Sequence, residues 1–204
     1  MNKSDLKRIA DYYDRLVDQH GHSPRACDAS SRTALEARYK VLSEVTNMNG
    51  KSILEVGCGL GDFGDYLCKK YPSIRYAGID VSSRMVDEAR KAYPELPFHR
   101  QNVLDMDTAE PFDVVLAQGI FYLLGRNAES KMHTLIKKMF SLSKEAVAFC
   151  AISFWSSRKS DNEFYADPVR LLDWCRTLTP RIVLRHDYLP NDVTLYLHKK
   201  RITR

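Results

Sequence analysis

The sequence predicts an α/β fold in which helices cover both faces of a mostly parallel sheet of seven strands. Strand-like and helix-like segments alternate from residue 52 to residue 154, which is the pattern of repeated strand–helix units. The last two strand-like runs, at 181–188 and 193–198, are joined by only four residues. That linker is too short for a parallel crossover, so we expect the sheet to end in an antiparallel hairpin.

The individual elements follow from apolar periodicity and its interruptions. Two helices come first: one starts at a predicted N-cap, Ser4, and ends near 21–24, and the other spans about 31–45. A late helix opens at Asp167, a cap residue followed by proline. The predicted strands are 52–56, 75–79, 97–101, 112–117, 146–154, 181–188 and 193–198, and the predicted helices among them are 62–71, 82–92 and 129–141.

Composition indicates an ordinary globular protein. Its 204 residues are 44% apolar and 28% charged, and no apolar run approaches the roughly 20 residues of a membrane helix. The chain turns polar where a signal peptide would become apolar, so we expect a cytoplasmic protein without membrane contact. Five cysteines without a CxxC pair, and dispersed histidines, indicate neither a disulfide framework nor a metal site.

The net charge of +5 gives little indication of nucleic-acid binding. Four of these charges come from the last six residues, namely Lys199, Lys200, Arg201 and Arg204. The rest of the chain is therefore nearly neutral. A short basic terminus is more often simply solvated than bound to phosphate.

The segment that carries chemistry is the glycine-rich turn ILEVGCGLG, which follows the first strand and precedes a helix. Glycine allows a sharp turn and the close approach of a ligand, and the helix start offers free N–H groups. The second strand ends in Asp80, which is placed to accept hydrogen bonds from ribose hydroxyls. Together these features predict a site for a ligand that contains a ribose.

The same turn also matches the dinucleotide fingerprint GxGxxG, as GLGDFG at 59–64. We disfavour a dinucleotide site for three reasons. Gly57, not Gly59, directly follows the strand. Asp62 would bring negative charge to the helix start, where a pyrophosphate should bind. A terminal antiparallel hairpin is foreign to the parallel dinucleotide fold.

Three segments resemble the signature blocks of class I S-adenosylmethionine-dependent methyltransferases. They are ILEVGCGLG, YAGIDVS and FDVVLAQGIFYLL, and the likeness extends over about 51–199, including the reversed terminal hairpin. It implies a Rossmann-like methyltransferase domain over 1–204, with a core at 50–199 and a basic tail at 200–204. The opening YYDRLVDQHG is similar to the lid helix of members that act on small molecules, which implies a helical lid at 1–49.

The resemblance also implies a set of residues that bind S-adenosylmethionine. The backbone of Gly57 and Gly59 would hold the methionine moiety, Glu55 would organise the loop and Asp80 would bind the ribose. The acidic loop suits a ligand that carries a sulfonium and an ammonium but no phosphate. The other expected contacts are Tyr13 as a cover, Arg38 at the carboxylate, Val81, Asn102 (or its rival Asp105) and Val103 at the adenine, and Gln118 near the methyl group.

We predict a small-molecule acceptor that is methylated on oxygen or nitrogen. The residues after the fourth strand, AQGIFY, lack the Asn/Asp-Pro-Pro-aromatic sequence common in enzymes that methylate base amino groups. The polar, aromatic segment 154–167 is long enough to form a substrate lid. Tyr122 is a candidate for cation–π contact with the sulfonium. The candidate general bases are His186 and Tyr165, with His20 and His22 as further possibilities.

Three other functions stay open at this point. An RNA or protein methyltransferase would use the basic tail as an anchor. A second alternative uses S-adenosylmethionine itself as the substrate, in an intramolecular displacement. An NAD-dependent oxidoreductase is the most distant alternative. The sequence does not determine the oligomeric state.

Overall fold

The computed structural model describes residues 1–199 and contains one seven-stranded sheet with the strand order β3-β2-β1-β4-β5-β7-β6. Strands β1 to β5 are parallel to one another, and β7 is antiparallel to both β5 and β6. The predicted fold class is therefore confirmed, including the terminal hairpin. The elements are α1 (Lys3–His20), α2 (Arg32–Ser43), β1 (Ser52–Val56), α3 (Asp62–Lys70), β2 (Arg75–Asp80), α4 (Ser83–Ala92), β3 (Phe98–Arg100), a 3₁₀ turn (Val103–Asp105), β4 (Phe112–Ala117), α5 (Ala128–Leu142), β5 (Ser143–Ile152), α6 (Pro168–Cys175), β6 (Ile182–Arg185) and β7 (Asp192–His198).

Several element boundaries differ from the sequence prediction by one to three residues. The N-cap of α1 is Asn2, not Ser4, because Asn2 and Asp5 form a reciprocal capping box. Strand β5 starts at Ser143, directly after α5. Its first residues are polar, so the apolar pattern in the sequence did not indicate this early start. Strand β6 is short and ends at Arg185, so His186 lies just beyond it.

The core consists of two apolar layers, one on each face of the sheet. One layer contains α5 and α6, and the other contains α2, α3 and α4. The central strands β1, β4 and β5 are almost wholly buried, as expected for parallel strands covered on both faces. The strand order reverses between β1 and β4, and in such sheets a crevice forms outside the carboxyl ends of the strands at that point.

No helix within 1–199 is long and apolar enough to cross a membrane. Over the same residues, no three His, Cys, Asp or Glu side chains are grouped so that they could hold a metal ion.

Candidate cofactor and acceptor site

A large cavity lies at the carboxyl ends of β1, β2 and β4 and is covered by α1 and by the start of α2. It contains about 1060 Å³ of empty space, part of which is open to solvent. Three carboxylates line it, those of Glu55, Asp62 and Asp80, and among residues 1–199 no Lys, Arg or His side chain does. The lining therefore favours a ligand with positive charge and disfavours one with phosphate groups.

The glycine turn forms one wall of the cavity in a conformation that other residues rarely adopt. Gly57, Gly59 and Gly61 all have positive φ angles, of 75°, 52° and 84°. The turn is fixed to β2, because the N–H groups of Gly57 and Cys58 both donate to the Ile79 carbonyl. A Cβ atom on Gly57 would lie 2.2 Å from Ile120 Cγ2, so the side chain of Ile120 covers this peptide directly.

Asp80 ends β2 and fixes the turn from the other side. Its carboxylate accepts hydrogen bonds from the N–H groups of Gly59 and Ser82, both at 2.9 Å. Burial raises the pKa of Asp80, while the donated N–H groups lower it. A carboxylate has about four acceptor positions, so Asp80 can hold the turn and still accept from a ribose hydroxyl.

Glu55 lies at the floor of the cavity and is 2% exposed. Its Oε2 accepts a hydrogen bond from the Tyr76 hydroxyl at 2.5 Å. The pKa of Glu55 is raised to about 8 by all of its surroundings together: burial raises it most, the Tyr76 hydrogen bond lowers it, and the nearby Asp80 and Asp62 raise it. This carboxyl has no cationic partner among the described residues and is poised to meet a cation from the ligand.

The predicted adenine end of the cavity is lined by Val81, Asn102 and Val103. Asn102 caps the 3₁₀ turn: its amide oxygen accepts from the Leu104 N–H and its amide nitrogen donates to Asp105. Its oxygen keeps one lone pair for a ligand amino group. Asp105 does not line the cavity, so of the two residues the structure brings Asn102 to the predicted position.

Gln118, directly after β4, has an unpaired buried acceptor that faces the cavity. Among the buried side-chain nitrogen and oxygen atoms in the part of the chain that the structure describes, its Oε1 is the one that lacks a hydrogen-bond partner. A buried acceptor left unpaired costs about 1–3 kcal/mol, so it is expected to meet a donor in the functional state. Gln118 lines the same cavity as the three carboxylates. An amino acid ammonium would satisfy it, and the residues present therefore fit S-adenosylmethionine.

A cluster of hydroxyl groups connects the cavity to the surface. Tyr13 lines the cavity, and its hydroxyl lies 2.6 Å from that of Tyr122. Tyr122 donates to Asp28 Oδ2 at 3.1 Å, and Tyr12 donates to the same oxygen at 2.7 Å. Asp28 is exposed and has a positive φ of 52°, a conformation that is uncommon outside glycine. Burial raises the pKa of both Tyr13 and Tyr122, so these hydroxyls keep their protons.

Four predicted site residues do not line the cavity, namely Arg38, Tyr122, Tyr165 and His186, and neither do the further candidates Asp105, His20 and His22. Arg38 forms a bidentate contact with the buried Asp192, with its Nε and Nη2 each 2.9 Å from Oδ2. A guanidinium engaged in this way is not directed at a methionine carboxylate.

The two predicted general bases also point elsewhere. His186 contacts Ser153 Oγ at 2.8 Å, and its ring packs against the exposed Trp155. Tyr165 donates to Glu163 within the 154–167 segment and accepts from the Ser160 N–H. His22, a further candidate, lies 3.1 Å from Asp62 Oδ1 at the wall of the cavity, while His20 ends α1 in an exposed position.

Two contributors were missed in the sequence. Asp28 carries no local signal, because its partners are up to 94 residues away along the chain. The sequence does contain a local signal for Tyr76. Tyr76 precedes Gly78 by two residues, and the strand register places Gly78 opposite Glu55. Alternation along β2 therefore puts Tyr76 on the same face as the carboxyl it contacts.

Comparison with known proteins agrees with this geometry. The family described as "Methyltransferase domain" matches residues 47–199. A Mycobacterium tuberculosis protein named only as a methyltransferase is 29% identical over 159 residues, which is 72% of this chain and 93% of that protein. Trans-aconitate 2-methyltransferase of Escherichia coli is 32% identical over 87 residues, 43% of this chain and 33% of that enzyme, so the chain spans only about a third of its length.

Among solved structures, magnesium protoporphyrin IX methyltransferase from Synechocystis with bound SAM superposes with a TM-score of 0.70. The match covers 98% of this chain and all of that one, at 15% sequence identity, and therefore concerns the fold. The fold and the glycine turn are Rossmann-like, and the family match makes the chain a transferase. The chain belongs to the methyltransferase domain family, as a class I S-adenosylmethionine-dependent methyltransferase.

Proposed function

We propose that this enzyme transfers a methyl group from S-adenosylmethionine to an oxygen or nitrogen atom of a small molecule. The observation that carries this proposal is the cavity itself, which combines three carboxylates, no lining Lys, Arg or His side chain within residues 1–199 and the unpaired Oε1 of Gln118. These groups suit a cationic amino acid moiety and are unsuited to a pyrophosphate.

Three parts of the cofactor have candidate partners. We assign the ammonium to Glu55 and Gln118, the ribose to Asp80, and the adenine to the surface formed by Val81 and Asn102. When bound, S-adenosylmethionine supplies an electrophilic methyl group on a sulfonium. The protein then has to position the acceptor, exclude water and remove a proton.

The size and cover of the cavity favour a small acceptor. Helix α1 is held over the cavity by polar contacts, including one from Arg8 Nη2 to the Leu123 carbonyl at 2.6 Å. Segment 154–167 is tied to the same region, because the Phe164 N–H donates to the Tyr122 carbonyl at 2.8 Å. A nucleic acid or a folded protein would have to displace both. The trans-aconitate relative, whose acceptor is named as a small organic acid, supports the same class.

The hydroxyl cluster offers a route for the acceptor proton. The Asp28 carboxylate can only accept, so Tyr122 must donate to it. In the bond between the two tyrosines Tyr13 is then the donor, which leaves a lone pair on Tyr13 free at the cavity. A proton lost by the acceptor passes to Tyr13, the Tyr13 proton passes to Tyr122, and the Tyr122 proton passes to the exposed Asp28. We therefore place Tyr122 in the proton route and not as a cation–π partner.

The test begins with isothermal titration of S-adenosylhomocysteine and, separately, of NAD into the purified protein. Binding of NAD alone would contradict the proposal. The protein is then incubated with S-adenosylmethionine and a panel of carboxylic acids, phenols and primary amines, and methylated products are identified by mass spectrometry. Product from the cofactor alone would favour the intramolecular displacement. Methylation of RNA or protein that is lost on deleting 200–204, a tail outside the described residues, would favour a macromolecular acceptor.

The proton route is tested with Asp28→Asn, once an acceptor has been found in the panel. The amide can donate as well as accept, so the direction of the hydroxyl chain is no longer imposed. We expect a lower kcat with unchanged affinity for S-adenosylhomocysteine. Tyr12→Phe is the matched control, because it removes a hydrogen bond to the same carboxylate but lies outside the route. Equal turnover of Asp28→Asn and the wild type would refute the route.

A further inference from the structure

The phenol of Tyr76 occupies a space that is cleared by two glycines. A Cβ atom on Gly64 would lie 2.5 Å from Tyr76 Cζ, and one on Gly78 would lie 2.6 Å from Tyr76 Oη. Tyr76 is 7% exposed, yet its hydroxyl finds an acceptor because the space leads directly to Glu55 Oε2. Any larger side chain at position 64 or 78 would push the ring away, so the chain is built to accommodate this contact.

The surroundings of Glu55 give its carboxyl no compensating positive charge. Asp62 at the start of α3 and Asp80 at the end of β2 add negative charge, and the thiols and phenols nearby are neutral because burial raises their pKa values. The titratable groups that face Glu55 are Tyr39 from α2, Cys27 from the segment between α1 and α2, Cys58 from the glycine turn, Asp62 and Cys68 from α3, and Tyr76 and Asp80 from β2. A proton on Glu55 removes this repulsion in the absence of a ligand, whereas a cationic ligand removes it without the proton.

We propose that Tyr76 is a positioning residue for cofactor binding: it holds Glu55 ready for the ligand ammonium, and it sets the pH at which Glu55 exchanges a proton for that ammonium. This inference rests on the proposed cofactor site but goes beyond it, because Tyr76 itself does not line the cavity. Binding of the cofactor releases one proton from Glu55 below the titration midpoint. Above the midpoint the carboxylate is already formed and binding releases none.

The direction of the pH effect follows from the hydrogen bond. A donor to the ionised carboxylate stabilises that form, so the Tyr76 hydroxyl lowers the pKa of Glu55 from what burial alone would give. Affinity for a cationic ligand should then rise with pH by up to about tenfold per unit and level off near the midpoint, as expected for one linked proton. Without the hydroxyl, the curve of ligand affinity against pH should move to higher pH.

The experiment is isothermal titration of S-adenosylhomocysteine into the full 204-residue protein at intervals from about pH 6 to pH 9. For Tyr76→Phe we expect the midpoint to shift upward, with affinity on the order of tenfold lower at pH 7 and close to wild type at the highest pH. For Glu55→Gln we expect a lower affinity that no longer rises with pH. Tyr196→Phe is the matched control: it removes another buried tyrosine hydroxyl, one that donates to the Val41 carbonyl away from the cavity, and should leave the midpoint unchanged.

The outcomes separate this inference from the proposed function. If Tyr76→Phe lowers the affinity equally at every pH, its role is structural and the positioning inference is wrong. If Glu55→Gln keeps the wild-type pH slope, another group titrates and the inference is again overturned, even where Tyr76→Phe does not fold. If the wild-type protein binds no S-adenosylhomocysteine at any pH, the cofactor assignment itself fails.

Discussion

The contact between Gly57 and Ile120 makes Gly57→Ala an informative perturbation of the cofactor turn. Gly57 has a φ of 75°, and its added methyl would lie 2.2 Å from Ile120 Cγ2. Two costs are expected: about 1–2 kcal/mol for a non-glycine residue in the left-handed region, and about 1–3 kcal/mol for the overpacking.

A second glycine allows the two costs to be separated. Gly50 has a φ of 73°, and a Cβ atom there would meet nothing within 4 Å. Gly50→Ala therefore has the backbone cost and the same gain from a less flexible unfolded chain, but no steric clash. The difference between the two variants measures the overpacking alone.

The assay is urea unfolding of both variants, with the free energy of unfolding extrapolated to water. We expect Gly57→Ala to be less stable than Gly50→Ala by about 1–3 kcal/mol, which corresponds to roughly 2–4 °C in Tm for each kcal/mol. Ile120→Ala in the Gly57→Ala background should recover most of that difference. Equal stability of Gly57→Ala and Gly50→Ala would show that Ile120 does not cover the turn as described.

Three further predictions concern charged groups. Asp80→Ala should weaken S-adenosylhomocysteine binding by about 1.5–3 kcal/mol in a calorimetric titration, the range for a hydrogen bond to a charged group, and unchanged affinity would refute the ribose role. Arg38→Met should lower the free energy of unfolding by about 3–5 kcal/mol, because it leaves the buried Asp192 unpaired. A variant of unchanged stability that binds the cofactor more weakly would instead show that Arg38 binds the methionine carboxylate. The pKa of Glu55 rises on folding from 4.5 to about 8, so the ligand-free protein should lose stability as the pH rises through this range. Glu55→Gln should abolish that loss and be more stable than wild type at pH 8 by a few kcal/mol, while parallel pH profiles in urea unfolding would contradict the assignment.

Much of the lining of the cavity that we propose for the cofactor could be predicted because it is encoded locally. Glu55, Gly57 and Gly59 lie on one strand–turn segment, and Asp80 ends the next strand, so parallel pairing of β1 and β2 brings them to one edge. The same logic places Val81, Asn102 and Gln118 at that edge, since each follows a parallel strand of the sheet.

The acceptor side was less predictable, because it depends on which loops and helix faces meet. His186 and Tyr165 were chosen for their chemistry, but their side chains are taken up by Ser153 and Glu163. Arg38 lies on α2 between cavity-lining positions 35 and 39, yet Asp192, 154 residues later, binds it. Residue type and helical position did not reveal these partners.

The sequence by itself determined the class of fold, the glycine turn and the acid that ends β2, because these depend on periodicity and on backbone conformations that glycine permits. Only the tertiary structure decided which side chains share a proton or a charge. The Tyr76–Glu55 contact spans 21 residues and the Tyr13–Tyr122 contact spans 109, and both depend on packing across separate elements. Hydrogen bonds act over about 3 Å, so such pairs are fixed only when the whole sheet and its covering helices are in place.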